Sequence, residues 1–526
     1  MQRFAWRSIV GLLLWLSLEP ASLAAGRARY FILVVWDGMR PDFVTPELTP
    51  TLYALRQQGV WFANHHPVYT SSTEVNGAAL ATGAFPGHNH IVANNEYRPE
   101  IDWLKPVAMQ SLEAVRRGDE ISGGKYIGVP TVAELLQSHH LTTAVVGAKA
   151  VALLHDRRAR GDASPDPVWF ADGCLPAARL GALTNLLGVF PAPAIPNVGR
   201  DQWAARCLTE AFWGSQPPRY SVLWLSEPDA SQHQHGPGSP EALAAIRSCD
   251  CRLATVLRAL DQRGVRDQTD IIVVSDHGFS TIGTICDAGE TLRAAGFNAR
   301  PEWRQPPKDG DVTVVGNGGS VMLYVTGRSA GVISNVVVTL QRQRFSGVIL
   351  TRERLPGTFP LGEVKLECPT APDVIVSLRW DRRAAHDDHP LVEVYNDGYQ
   401  EYTPGCGMHV TLSPTDLHNT CAAAGPDFRA GVVDWLPSGN VDIAPTLLWL
   451  MNIKPQTPLD GRVLREALAG QTASVGRVEL GRRDSQVRLP GGTWSQYLIF
   501  TELNGERYLD EGDGEWSAAP GMTKGE

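Results

Sequence analysis

The sequence predicts an α/β fold in which a mainly parallel central sheet lies between helices. Short runs of β-prone apolar residues alternate with longer segments of helical periodicity, as expected for parallel strands with helical connections. A run that is apolar at nearly every position indicates a strand buried on both faces. The predicted strands cover residues 29–36, 142–147, 220–225 and 270–274, and the predicted helices cover residues 48–58, 129–138, 240–263 and 441–451.

One large domain over residues 26–470 accounts for this pattern. Residues 86–128 and 288–400 interrupt it with weak periodicity and with Pro- and Gly-rich pieces, and we interpret both as cap insertions over the functional edge of the sheet. Residues 471–526 form a polar C-terminal extension. We expect this extension to pack on the core and to end in a frayed tail.

The composition is that of a soluble globular protein, with 43% hydrophobic residues, 20% charged residues and a formal net charge of −9. A negative chain has no general electrostatic attraction for nucleic acid or anionic membranes, so we expect no nucleic acid polymer as a partner. Bound divalent metals would add local positive charge that this count omits.

The first 25 residues have the pattern of a secretory signal peptide. Arg3 and Arg7 precede an apolar run over residues 9–18, and small residues lead to a cleavage position near Ala24 or Ala25. The alternative, a membrane anchor, is disfavoured because the run is shorter than the roughly 20 apolar residues that span a bilayer. We therefore predict a secreted or periplasmic protein without a transmembrane segment after signal removal.

The chain has eight cysteines, an even number that permits four disulfides in an exported protein. Cys249 and Cys251 are too close in sequence to pair with each other easily, and the spacing does not fix any pairing. Buried free thiols are the alternative. Since no two cysteines are separated by two residues, a cysteine zinc site is not expected.

Carboxylates and histidines follow three of the predicted strands. The carboxyl ends of parallel strands share one edge of a sheet, where open α/β folds bind their ligands. Residues four apart also project from one face of a helical turn and can share a metal ion. The residues concerned are Asp37, Asp229 with His233 four positions later, and the adjacent pair Asp276 and His277; Glu227 and His235 lie beside the second motif.

Thr73 lies just before a helical stretch that leads to Gly83. A helix N-terminus favours anions through its free amides and its dipole, so a hydroxyl there is well placed to act on a phosphate. The alternative is a helix-capping role, for which Ser and Thr are common. His409, which lies among glycines, is a further candidate ligand.

Asp and His side chains without thiolates suit zinc, although other divalent metals accept the same ligands. Two zinc ions a few ångströms apart can hold the attacking and leaving oxygens of a displacement at phosphorus. A metal can also lower the pKa of a coordinated hydroxyl and activate a threonine as nucleophile. The motifs therefore predict a phosphoryl-transfer hydrolase with two Zn²⁺ as cofactors.

Taken in order, these motifs resemble the alkaline phosphatase superfamily, and within it the nucleotide pyrophosphatase/phosphodiesterase family. The resemblance extends from about residue 29 to about residue 455, with supporting stretches at residues 49–52, 81–83, 90–94 and 442–447. It implies an alkaline phosphatase-like sandwich, with residues 26–470 as the catalytic domain. It also implies a type I phosphodiesterase activity on a small-molecule phosphate ester.

The resemblance implies a role for each matched position. Thr73 would attack phosphorus to give a phospho-threonine, which a second displacement would hydrolyse. Asn94 matches an asparagine that donates a hydrogen bond to a non-bridging phosphate oxygen. The implied ligand sets are Asp229, His233 and His409 for one zinc, and Asp37, Asp276, His277 and the Thr73 oxygen for the other.

Two positions depart from the family pattern. Glu74 follows the nucleophile where the family usually has an aromatic residue that helps to hold a nucleobase, and Val410 replaces a glycine after the last histidine. Glu74 places negative charge in the substrate-binding region. A substrate with a cationic group, such as an amino-alcohol phosphate ester, therefore fits this sequence better than a nucleotide.

Three alternatives stay open from the sequence. A phosphomonoesterase or phosphonate hydrolase could use the same core, and a monoesterase would need an additional cation, for which Arg40 is one candidate. A transferase could pass the phosphoryl-alcohol group to an acceptor other than water. A secreted metal-binding homologue without activity would have lost the nucleophile or ligands, whereas every such position here has a competent residue. A sulfatase is not expected, because the nucleophile motif of sulfatases is absent from the sequence.

Overall fold

The computed structural model describes residues 26–171, 173–383, 389–398, 401–471 and 476–519. The predicted signal peptide over residues 1–25 and the end of the predicted tail lie outside the described residues. Within the described part, no helix combines the length and the apolar character needed to cross a membrane.

The α-helices follow one another between the strands of several sheets. They are α1 Pro50–Gln58, α2 Thr73–Thr82, α3 Pro86–Asn89, α4 Leu112–Ser122, α5 Val132–Ser138, α6 Leu180–Leu187, α7 Val198–Arg206, α8 Asp229–His235, α9 Pro240–Gln262, α10 Ala288–Ala294, α11 Ala330–Leu340 and α12 Ile443–Leu450.

The strands group into one large sheet and several smaller ones. They are β1 Tyr30–Trp36, β2 Val60–Phe62, β3 His65–His66, β4 Asn95–Glu96, β5 Val107–Ala108, β6 Thr143–Gly147, β7 Val168–Phe170, β8 Gly173–Leu175, β9 Tyr220–Leu225, β10 Thr269–Val274, β11 Ser280–Ile285, β12 Ala299–Arg300, β13 Val312–Gly316, β14 Ser320–Val325, β15 Ser346–Thr351, β16 Phe359–Pro360, β17 Val374–Leu378, β18 Trp380–Arg382, β19 Val392–Asn396, β20 Gly407–Met408, β21 Cys421–Ala424, β22 Val432–Asp434, β23 Ser438–Gly439, β24 Val478–Leu489, β25 Gly492–Leu503 and β26 Glu506–Ala518.

The central sheet has the strand order β22-β2-β21-β10-β1-β9-β6-β7-β8. The five strands from β10 to β7 are parallel to their neighbours, with Val34 of β1 opposite Val273 of β10 and Leu223 of β9. The strands β21 and β8 are antiparallel to this block. The predicted α/β fold with a mainly parallel central sheet is therefore confirmed.

Two hydrophobic cores cover the two faces of the sheet. Alternate residues of β1 enter different cores, so Leu33 and Val35 pack in one and Ile32 and Val34 pack in the other. Helices α2, α5 and α12 contribute to the first core, whereas α1, α7 and α9 contribute to the second. Burial on both faces explains why each central strand is a continuous apolar run in the sequence.

The region predicted as the second cap insertion contains a separate six-stranded sheet of order β12-β13-β14-β17-β15-β16, with its own core beneath α10 and α11. The C-terminal strands β24, β25 and β26 form a three-stranded antiparallel sheet. That sheet packs beside β15, where Gln496 Oε1 accepts a hydrogen bond from the Ile349 amide.

The predicted disulfides are absent, because all eight cysteines are free thiols in the structure. Cys421 and Cys368 lie in two different cores, so neither has the other as a partner. Cys249 and Cys251 lie on opposite sides of α9, one buried and one exposed. The alternative interpretation, buried thiols that act as small apolar side chains, describes most of them.

Candidate active site and metal centre

The candidate residues converge at the carboxyl ends of the central strands. Asp37 directly follows β1, the Asp276-His277 pair follows β10, and Asp229 begins α8 four residues after β9. His409 follows the short strand β20, and Thr73 is the first residue of α2. A parallel sheet places its carboxyl ends along one edge, which is why residues so distant in sequence meet here.

Asp229, His233 and His409 form one cluster, in which one ligand atom of each residue lies within 4.8 Å of the others. Asp229 Oδ1 is 3.2 Å from His233 Nε2 and 3.7 Å from His409 Nε2. His233 reaches this position because α8 places it one turn after Asp229. This cluster is the first of the two predicted ligand sets.

A second cluster surrounds the His277 ring. His277 Nε2 lies 3.3 Å from Asp276 Oδ2 and 3.6 Å from Asp37 Oδ1. It also lies 3.3 Å from the Thr73 hydroxyl. Asp229 Oδ1 is 3.9 Å away, so Asp229 borders both clusters. The structure thus brings the four residues of the second predicted set together.

All three histidines have the same ring orientation. Nδ1 donates to a backbone carbonyl in each ring: His233 to Gly407 O at 3.0 Å, His277 to Gly278 O at 2.9 Å and His409 to Ser71 O at 2.8 Å. A carbonyl oxygen can only accept, so Nδ1 carries a proton in each ring and Nε2 faces the carboxylates. Backbone carbonyls orient metal-ligating histidines in this way.

One oxygen of each carboxylate is left without a partner in the described part of the chain. Asp37 Oδ1, Asp229 Oδ1 and Asp276 Oδ2 are buried, and among the described residues none of them has a hydrogen-bond donor. Burial, with the nearby Asp276 charge, raises the pKa of Asp37 well above its usual value. Unpaired buried oxygens beside histidine lone pairs require a cation, so the donor set fits a divalent metal.

His409 is kept neutral, as ligation requires. Burial lowers its pKa well below the ordinary value, and the neighbouring His277 and His233 rings lower it further. A neutral imidazole at this point is ready to bind a metal without first losing a proton.

The Lys149 side chain also lies in the site, although no sequence motif pointed to this residue. Its Nζ lies 3.0 Å from Asp37 Oδ2 and 2.9 Å from Asp229 Oδ2, so it bridges the two clusters. Burial alone would raise the pKa of Asp229, but the Lys149 ammonium together with the His233 and His409 rings holds that pKa well below the usual range. Lys149 comes two residues after β6 ends, the same strand-end position that pointed to Asp37.

Thr73 is not the cap of α2. Ser72 occupies the N-cap position, neither side chain makes a capping hydrogen bond, and the Thr73 hydroxyl points to His277 instead. The capping interpretation is therefore wrong for Thr73. The Asn94 Oδ1 accepts a hydrogen bond from the Glu74 amide at 3.1 Å, which fixes Asn94 beside the helix N-terminus.

Glu74 is buried in the second position of α2, and its Oε2 has no hydrogen-bond partner among the described residues. Burial raises the pKa of Glu74 to about 7, although the Lys149 charge opposes this effect. An unpaired carboxylate oxygen beside the site is available to a ligand.

Several neighbours of the motifs have other roles. Glu227 accepts hydrogen bonds from the amides of Asn197 and Ser231, and His235 is exposed at the end of α8. Arg40, the candidate extra cation, binds Asp42 through two nitrogen atoms at 2.9 and 2.7 Å. It is therefore not free to bind a phosphate.

Comparisons with known proteins match the chain to one family. The family model described as "Type I phosphodiesterase / nucleotide pyrophosphatase" matches residues 31–405. Human ectonucleotide pyrophosphatase/phosphodiesterase family member 1 is 23% identical over 266 residues, which cover 49% of this chain and 24% of that protein. Venom phosphodiesterase 2 of Crotalus adamanteus is 25% identical over 268 residues, which cover 50% of this chain and 28% of that protein.

The fold is also similar to solved structures. Murine ectonucleotide pyrophosphatase/phosphodiesterase 5, solved as an inactive threonine-to-alanine variant in complex with AMP, aligns with a TM-score of 0.60 and 16% sequence identity. That alignment covers 84% of this chain and all of the murine chain. The chain spans about a quarter of the length of the two curated relatives described above. Because the family model matches well over half of its residues, the chain belongs to the type I phosphodiesterase/nucleotide pyrophosphatase family of the alkaline phosphatase superfamily.

Proposed function

We propose that the protein is a metal-dependent hydrolase of phosphate esters, a phosphodiesterase with Thr73 as its nucleophile. One observation carries this proposal. The Thr73 hydroxyl lies 3.3 Å from a histidine lone pair, at a helix N-terminus and beside buried carboxylate oxygens without donors. A nucleophile, its anion-binding helix end and a cation-binding donor set thus occupy one place.

Two zinc ions fit the two clusters, with Asp229, His233 and His409 holding one and Asp37, Asp276, His277 and Thr73 holding the other. Bound there, the metals would stabilise negative charge on the phosphate and lower the pKa of the Thr73 hydroxyl. Hydrogen bonds to backbone carbonyls already orient the three histidine rings for metal binding.

The chain's own groups position the substrate and the proton. The Thr73 hydroxyl lies 3.3 Å from His277 Nε2, so its oxygen faces the same place as that candidate ligand atom. The first amides of α2 lie beside that oxygen and favour a phosphate anion. Since the Asn94 Oδ1 is occupied by the Glu74 amide, the Asn94 side-chain NH₂ group is left to donate to a phosphate oxygen.

The direct test is hydrolysis of bis(4-nitrophenyl) phosphate by the zinc-loaded protein. We expect Thr73→Ala to lower kcat/KM by at least about a thousandfold, since loss of a nucleophile removes the whole covalent route. Ser72→Ala, which removes the adjacent hydroxyl, is the matched control and should retain most activity. Full activity in Thr73→Ala would refute the nucleophile, and no activity with any divalent metal would favour a non-catalytic metal-binding homologue.

Lys149 supports a second candidate, a phosphomonoesterase. A monoester carries one more negative charge than a diester. The Lys149 ammonium is paired with Asp37 and Asp229, and it would become available to this extra charge once metals bind those two carboxylates. We expect Lys149→Gln to reduce kcat/KM for 4-nitrophenyl phosphate about tenfold more than for the diester. Lys125→Gln, at an exposed lysine, is the control, and equal losses on both substrates would argue against this role.

Export is proposed with the activity. The signal-like pattern at the N-terminus supports it, and relatives of this chain are named as ectoenzymes or venom proteins. Mass spectrometry of the full chain expressed in a bacterium, recovered from the periplasm, should show a new N-terminus near Ala24 or Ala25. An intact N-terminus on protein confined to the cytoplasm would contradict the proposal.

A further inference from the structure

We propose that His66, His418 and Asp510 form a third metal site, separate from the candidate active site and suited to zinc. One ligand atom of each residue lies within 4.8 Å of the other two. None of the three belongs to the two clusters described above.

The geometry centres on one carboxylate oxygen. Asp510 Oδ1 lies 3.0 Å from His66 Nε2 and 3.6 Å from His418 Nε2. The two imidazole rings lie side by side with centroids 4.6 Å apart. Two imidazoles and one carboxylate are a common zinc donor set, and a water molecule would complete the tetrahedron.

Both rings are already turned for ligation. His66 Nδ1 donates to Ser438 O at 3.0 Å, and His418 Nδ1 donates to Pro414 O at 2.9 Å. Each ring therefore turns its Nε2 toward the same carboxylate oxygen, and the three atoms could together ligate a cation. The other oxygen of Asp510 accepts a hydrogen bond from the Thr501 hydroxyl at 2.7 Å, which fixes the carboxylate.

Ordinary histidine–carboxylate pairs in this protein are built differently. In the pair of His88 and Asp460, Nδ1 itself faces the carboxylate at 2.8 and 2.9 Å. The same holds for His389, whose Nδ1 lies 3.0 Å from Asp42 Oδ2. The orientation with Nδ1 on a backbone carbonyl is shared by His66, His418 and the three histidines of the candidate active site.

The three residues come from different parts of the fold. His66 ends β3, His418 lies in the loop before β21, and Asp510 is in β26 of the C-terminal sheet. A metal here would join that sheet to the central domain. The His66 side chain is fully buried, whereas 30% of the His418 side chain and 17% of the Asp510 side chain are exposed. An ion can therefore reach the site from solvent.

The experiment counts zinc in the full-length protein. The chain is stripped with a chelator, dialysed against zinc sulfate and measured by plasma mass spectrometry. We expect His418→Ala to hold one zinc ion fewer than the wild type. Asp510→Asn, which changes charge but hardly changes shape, should lose the same ion. His88→Ala is the matched control, because it removes an exposed histidine of a simple ion pair and should leave the count unchanged.

The comparison does not depend on how many ions the candidate active site binds, since each variant is judged against the wild type. An equal count in the wild type and both site variants would overturn the proposal. Anomalous diffraction at the zinc edge gives an independent check. It should show a peak about 2 Å from both Nε2 atoms. A zinc-soaked crystal without a peak between the three residues would also overturn it.

Discussion

Glu74 is the residue on which the predicted substrate preference depends. It lies directly after Thr73, is buried, and keeps one oxygen without a hydrogen-bond partner among the described residues. The Lys149 charge lowers its pKa, against the effect of burial. Two partners are thus available to this carboxylate, the protein's own ammonium and a cationic group on a substrate.

We expect the wild type to prefer a choline-type phosphodiester over a nucleotide diester, and Glu74→Gln to reduce this preference about tenfold. The reason is the loss of a charge-assisted contact to the substrate cation. The measurement is kcat/KM for 4-nitrophenyl phosphorylcholine and for the 4-nitrophenyl ester of thymidine 5′-monophosphate. The exposed Glu47→Gln is the control. A nucleotide preference that is the same in wild type and Glu74→Gln would contradict this expectation.

The seven residues predicted as ligands, and Asn94, could be singled out from the sequence because several follow strands and all lie in an ordered set of motifs that resembles a known family. The sequence did not identify Lys149, since a lone lysine after a strand is usually a solvated side chain. It also did not identify the His66 cluster. Its three members have no characteristic spacing, and only the folding of β26 against the core brings them together.

Helix α2 carries the candidate nucleophile, and its close approach to neighbouring segments fixes where that residue lies. A Cβ atom at Gly77 would come within 2.5 Å of Val151 Cγ2 and within 3.5 Å of the Trp224 ring. The glycine therefore permits the close contact of this helix with Val151, which follows β6, and with Trp224 of β9. Gly181 in α6 is also helical, but nothing lies within 4 Å of the place that its Cβ would occupy.

We expect Gly77→Ala to destabilise the protein by about 1–3 kcal/mol, because the added methyl group overpacks this contact. It should also lower kcat, since α2 must shift with Thr73. Gly181→Ala should instead raise stability by roughly 0.5–1 kcal/mol through a lower entropy of the unfolded chain. Urea unfolding measures both changes. Equal effects of the two substitutions would show that Gly77 is not tightly packed.

Asp201 of α7 gives an element-scale prediction for pH. Its Oδ1 accepts hydrogen bonds from the amide and hydroxyl of Ser226, which follows β9. Burial raises the pKa of Asp201 to about 7, against about 3.9 in an unfolded chain. The native state therefore holds this proton more tightly, and the stability that it contributes is lost as pH rises from about 4 to 7.

Asp201→Asn keeps the acceptor oxygen and removes the titration. The free energy of unfolding of the variant minus that of the wild type should increase by about 2–3 kcal/mol from pH 5 to pH 7. Denaturant unfolding at several pH values measures this difference. Asp267→Asn, at an exposed carboxylate, is the control, and its free energy of unfolding should change with pH as that of the wild type does. If the free energy of unfolding of Asp201→Asn also changes with pH as that of the wild type does, the native pKa of Asp201 is ordinary.

The central strands could be predicted from the sequence closely, because burial on both faces makes each of them a continuous apolar run. The predicted strand over residues 220–225 has the observed bounds, whereas the helix predicted from residue 129 begins at Val132. That start is set by a capping box in which Thr131 and Glu134 each accept a hydrogen bond from the other's amide. Such caps shift helix boundaries by a few residues without changing the periodic pattern.

The stability of the whole molecule should depend on metal. Several buried carboxylate oxygens at the candidate site have no donor in the described part of the chain, so removing cations leaves their mutual repulsion in the native state only. We expect a chelator to lower Tm and added zinc to restore it, with a gain of about 2.7 kcal/mol at a zinc concentration one hundred times Kd. Magnesium should restore less, because imidazole ligands favour zinc. A Tm that is unchanged by the chelator and by added zinc would contradict the metal assignment.

The hydrogen bond from His409 to the Ser71 carbonyl spans 338 positions of the chain. A ribosome must therefore release more than four hundred residues before the metal-binding clusters can close. A chain that is translocated across a membrane in the unfolded state would cross without its metal ions. It would acquire them only on the far side, so the zinc supply of that compartment, and not of the cytoplasm, would determine how much active protein forms.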